Sequence, residues 1–155
     1  MTVTQSDPKA PVAVFPEGVP SPKVPYSPAV KAGDWVFFAG QLAADFKTGI
    51  APEPRAANPY LGDKLELESR CVMRNWAATV AAAGCDIGKD AIRMWQWFVS
   101  DRPTPEEFAQ GNTWASLSIE AYTNVRNEFV FEPLPASTGR ASVNSRCAAR
   151  PSRSI

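Results

Sequence analysis

Pro25-Tyr26-Ser27-Pro28-Ala29-Val30, then Gly33-Asp34, then Trp35-Val36-Phe37-Phe38-Ala39-Gly40-Gln41 is the stretch on which the fold turns. A Gly-Asp pair between two apolar runs predicts a β-hairpin over about residues 27–41. Along its second strand Trp35, Phe37 and Ala39 point one way and Val36 and Phe38 the other, so both faces are apolar. A strand of that kind needs a cover on each side. A chain of 155 residues can cover one side with its own helices. The other is expected to lie against another subunit.

The pattern continues outward. Leu65, Val72, Met73, Trp76, Val80 and Ala83 recur at three- and four-residue spacing and predict a helix over about 63–83. Glu66 and Arg70 pair four residues apart on its exposed side, and Gly84 stands where a left-handed cap belongs. Residues 91–99 predict a strand, with Ile92, Met94, Gln96 and Phe98 on one face and Arg93, Trp95, Trp97 and Val99 on the other. The face with two tryptophans is too apolar to stand in water and independently implies a multimer. Thr104-Pro105-Glu106-Glu107 is a helix start. Leu117, Ala121, Val125 and Phe129 predict a second main helix over about 116–129, stopped by Glu132-Pro133-Leu134-Pro135. Residues 137–143 close the pattern as a strand. The fold class expected is α+β, a mixed β-sheet with two main helices on one face.

Composition narrows the chemistry. Sixteen basic residues balance sixteen acidic ones, which disfavours nucleic acid or anionic lipid as a partner. With no histidine, Ser-His-Asp and Cys-His mechanisms are excluded. Cys71, Cys85 and Cys147 have no metal-ligand spacing, so no metal and no cofactor are expected, and the thiols read as reduced. No run approaches a membrane span and the polar start is unlike a signal peptide, so a cytoplasmic protein away from membranes is expected.

The hairpin and the later Leu134-Pro135-Ala136-Ser137-Thr138-Gly139 together resemble the YjgF/RidA family, over roughly residues 25–143. The family pattern is a Pro-Tyr-Ser-like start, a hydrophobic strand ending in small-Gly-Gln, and a late Pro-x-Arg-Ser/Thr strand. The resemblance implies a chorismate-mutase-like fold, a homotrimer and a small-molecule site in the cleft between subunits. In imine-hydrolysing members that site uses the motif tyrosine, a serine before Gly-Gln, the motif arginine for a substrate carboxylate, and a glutamate on the last strand. Carried across, Tyr26 matches, Ala39 replaces the serine, Ser137 replaces the arginine, and the last glutamate is not recognisable. A serine hydroxyl cannot replace a cation facing a carboxylate. Arg140, three residues on, leaves a strand by the opposite face.

The residues expected to line a substrate site are therefore Tyr26, Ala39, Ser137 and Thr138. Glu120 or Glu128 is the candidate catalytic carboxylate, acting as base on a water. Tyr122, Asn127 and Glu132 are polar neighbours in sequence. The function expected is hydrolytic deamination of an imine or enamine without the usual arginine. The alternatives are a non-catalytic small-molecule-binding trimer and, more remotely, a ribonuclease. Residues 1–24, with five prolines, predict an extended arm before a domain over 25–144. The Pro- and Asn-rich loop over 45–62 is either functional or a variable insertion. Residues 145–155 are an atypical basic tail, for which an altered or shortened C-terminus is the simpler reading.

Overall fold

The computed structural model describes residues 10–17, 25–44, 51, 63–100, 103–111 and 119–143. The expected loop over 45–62, apart from Ala51, the start of the second main helix before residue 119, and the tail past residue 143 lie outside the described residues. The chain divides into two compact units, Met1–Ala91 with Ile119–Leu134, and Ile92–Ser118 with Pro135–Ile155.

In the first unit, β1 (Val12–Val14), β2 (Ala29–Ala32) and β3 (Trp35–Phe38) form an antiparallel sheet in that order. The predicted hairpin is β2 and β3. They are joined by Gly33-Asp34, with Gly33 at φ 58°, the left-handed conformation a two-residue turn demands. The N-terminal arm supplies β1 between Pro11 and Pro16, in an edge position that a proline-rich segment can occupy.

Helix α1 (Lys64–Ala82) follows the predicted bounds within a residue. Asp63 opens it: its carboxylate accepts from the N–H groups of Leu65 (2.8 Å) and Glu66 (3.1 Å), two donors a helix leaves unmet at its start. Gly84, at φ 75°, closes it. The Gly84 N–H donates to the Ala81 carbonyl (2.9 Å) and the Cys85 N–H to that of Val80 (3.1 Å), the paired bonds of a Schellman ending. Met73 and Val80 are buried, and Trp76 meets Phe38 of β3 edge-on, centroids 6.3 Å apart.

The second main helix, α3 (Ile119–Asn127), ends two residues before its predicted limit. The N–H groups of Glu128 and Phe129 bond three residues back, to Val125 and Arg126, so the last turn tightens instead of continuing. Val125 and Val130 are buried.

The second unit holds β4 (Arg93–Ser100), the short helix α2 (Pro105–Ala109) and β5 (Ala136–Val143). Thr104 and Glu107 form a reciprocal capping box at α2, as the sequence signature requires. β4 and β5 pair in parallel, with Met94 opposite Ser137, Gln96 opposite Gly139 and Trp97 opposite Arg140. Antiparallel and parallel pairings thus both occur, alongside helices, as an α+β chain requires.

Candidate functional site

The hairpin brings two of the expected site residues to one end. The Ala39 N–H donates to the Pro28 carbonyl at 2.9 Å, carrying the β2–β3 pairing one step past the strands. Tyr26 stands two residues before Pro28 and is 40% exposed. Ala39 continues the side of the pleat that holds Trp35 and Phe37, whose side chains are 58% and 65% exposed. That end of the hairpin is pinned from α1. The Asn75 amide donates to the carbonyls of both Leu42 (3.1 Å) and Ala44 (2.8 Å), fixing the chain just after Gly40-Gln41. Asn75 was not singled out by sequence reasoning. A polar residue amid the helix's apolar stripe is its only local signal.

The two candidate carboxylates bracket α3. Glu120 is exposed in its first turn and Glu128 follows its last residue. Eight residues of helix separate them by roughly 12 Å along the axis, so they are alternatives and not a pair sharing one water. Glu128 is already engaged. The Arg70 guanidinium forks onto it, one arm at 2.9 Å, and also reaches Glu66 at 3.3 Å. The hydrogen bond from Arg70 holds the Glu128 carboxyl below the usual carboxylate range, and both carboxylates hold the guanidinium above its own. For Glu128 to take a proton from water, Arg70 must first release it.

Ser137 and Thr138 belong to the second unit and are exposed on β5. The Ser137 hydroxyl donates to Gln96 Oε1 at 3.0 Å. The Nε2 of that same amide is enclosed and meets no hydrogen-bond acceptor among the described residues. An enclosed unmet donor costs about 1–3 kcal/mol. Gly139 lies on the same side, where an added Cβ would be 3.7 Å from Phe98 and 3.9 Å from Gln96 Oε1. Arg140 pairs with Trp97 and so leaves by the opposite face from Ser137. On that opposite face Trp95 and Trp97 are 61% and 71% exposed, and the Arg93 guanidinium lies 5.0 Å from the Trp95 ring centre.

Among the described residues no cluster of three or more acidic or cysteine side chains could hold a metal, and no helix is long and apolar enough to cross a membrane. The chain matches the family model described as Endoribonuclease L-PSP over residues 17–127. The chain belongs to the YjgF/RidA family. Two relatives agree: the RutC family protein PH0854 of Pyrococcus horikoshii is 37% identical over 81 residues, covering 52% of this chain and 56% of the relative. The RutC family protein SSO3206 of Saccharolobus solfataricus is 35% identical over 71 residues, 46% and 49% of the two chains. The chain therefore spans about half the length of the curated relatives it matches.

Solved structures carry the same fold. RidA of the Antarctic bacterium Psychrobacter sp. PAMC 21119 superposes with a TM-score of 0.52 at 22% identity, over 83% of this chain and 84% of that one. Protein YJGH does so with 0.55 at 26% identity, over 84% and 83%. The family match ends before Pro135, so the strand with Ser137 and Thr138 falls outside it.

Proposed function

We propose that this chain assembles as a cytoplasmic homotrimer and hydrolyses the C–N bond of a small imine or enamine without an arginine at the motif position. The observation that carries this reading is the open end of the hairpin, where Tyr26 is exposed two residues before Pro28, the partner of Ala39, and Ala39 continues the exposed pleat face of Trp35 and Phe37. A face that apolar supports an assembly in which another copy covers it and closes the cleft.

In that cleft Tyr26 orients the substrate and Ala39 lines the wall. Glu120, or Glu128 once freed from Arg70, takes a proton from water as its oxygen adds to the C=N carbon. That proton passes to nitrogen to give a carbinolamine; the carboxylate then takes the hydroxyl proton and delivers it to nitrogen as the C–N bond breaks, so that a carbonyl product and ammonia leave. The ribonuclease of the family's description is not adopted, because the balanced formal charge offers no general attraction for a polyanion.

Ammonia release from freshly generated imines tests the proposal. A neutral imine should lose ammonia faster with the protein than in buffer. 2-Iminopropionate should not, until Ser137→Arg supplies a cation. No acceleration with any imine, in the native chain or the variant, overturns catalysis. The second reading, a non-catalytic binding trimer, is favoured by the engagement of Glu128 with Arg70. Ligand-induced thermal shifts without turnover would select it.

A further inference from the structure

Ser137 on β5 and Gln96 on β4 form a neutral polar pair on one face of the second unit's strands. With the Ser137 hydroxyl donating to Gln96 Oε1 at 3.0 Å, the amide's two N–H donors are left without an acceptor among the described residues. Turning the amide end for end only exchanges the roles. Nε2 then donates to Ser137, Oε1 becomes the open end, and the hydroxyl is free to donate elsewhere. In either state one end of the amide and one function of the hydroxyl remain unused. A native structure seldom keeps an enclosed donor idle unless something else comes to meet it.

We infer that Gln96 and Ser137 together recognise an uncharged carbonyl group, a carboxamide above all, on the small molecule this protein binds. The inference deepens the small-molecule reading and rests on it. A carboxylate arriving here would meet two neutral groups, with Arg140 on the other face of the strands, and would lose hydration without gaining a counter-charge. A carboxamide carries an acceptor and donors of its own, so it complements the pair in both orientations of the Gln96 amide. The terminal torsion of glutamine is broad and two-fold, so the side chain turns toward an incoming acceptor at little cost. Gly139 keeps the adjoining strand free of a side chain: a Cβ there would sit 3.9 Å from Gln96 Oε1, against the group that must turn.

The test compares two probes of equal size, propionamide and propionate, titrated into the full chain by ligand-observed NMR. Propionamide is expected to bind about tenfold tighter, the discrimination of one well-made hydrogen bond. Gln96→Leu should level the two. Gly139→Ala, which meets only ordinary contacts, should weaken propionamide while leaving the urea midpoint unchanged. Propionate binding as tightly as propionamide, or tighter, overturns this inference and leaves the small-molecule reading standing. Binding of neither probe overturns both. An unchanged preference in Gln96→Leu assigns the amide to an internal role, such as holding an enclosed water, and also overturns it. Should Gln96→Leu fail to fold, the native comparison and Gly139→Ala decide the matter.

Discussion

Around helix α1, Asp63, Arg70 and Asn75 each hold two partners, while on the strand pair β4·β5 Gln96 has one end of its amide unmatched among the described residues and Trp95 and Trp97 face outward. The helix satisfies its polar groups from within one chain, through its own cap, a nearby loop and the segment after α3. The strand pair does not. A structure tolerates enclosed idle donors and exposed tryptophans where a second copy or a ligand completes them. On the function proposed above, the contrast separates the part of this molecule that holds the fold from the part that meets a ligand or a second copy.

The sharpest way to break that contrast is to make the outward face polar. If the chain assembles as the proposed trimer, Trp95→Ser with Trp97→Ser should drop the light-scattering mass from three chains to one and leave the far-ultraviolet circular dichroism unchanged, because both rings are exposed on the single chain. A native mass of one chain, with both tryptophans in water, would end the assembly argument. Next in size, Met73→Ala on α1 empties a site that is 2% exposed. It should cost about 2–5 kcal/mol by urea unfolding, with no change of mass under native conditions. If it instead dissociated the assembly, the two regions would not be separable.

The smallest effect concerns Arg70 and Glu128. The Glu128 carboxyl is held below its unfolded value, chiefly by the Arg70 hydrogen bond. Its contribution is therefore fully present above the unfolded carboxylate pKa of about 4.3 and fades as pH falls through the lower folded value. Glu128→Gln should lower the urea midpoint slightly at neutral pH, and the gap to the native chain should close on acidification. Glu128 is exposed and Arg70 about a third exposed, so salt should shrink the gap too. A gap that stayed constant with pH would mean the glutamate acts by shape and not by charge.

Much of the fold was legible because its determinants are local. The Gly33-Asp34 turn, the Thr104 capping box and the Gly84 ending each rest on residues within a few positions of one another. The alternation along residues 35–38 and 93–99 announces two-sided strands without any knowledge of what covers them. The candidate site was legible only as positions. Tyr26 and Ala39 come to the same end of the hairpin because its register is set by its turn. The sequence spacing paired Arg70 with Glu66 and gave no sign of Glu128, 58 residues away.

From the sequence alone came the elements other than β1, the Thr104 and Gly84 caps, the faces of each strand and a neutral serine at residue 137, since periodicity and turn chemistry act over a few residues. Only the tertiary structure decided that Arg70 holds Glu128, that Asn75 pins the hairpin's end, and that Ser137 meets Gln96 with half an amide to spare. Those contacts join residues 31 to 58 positions apart. Contacts at that distance depend on how helices pack and strands register, which no local pattern encodes.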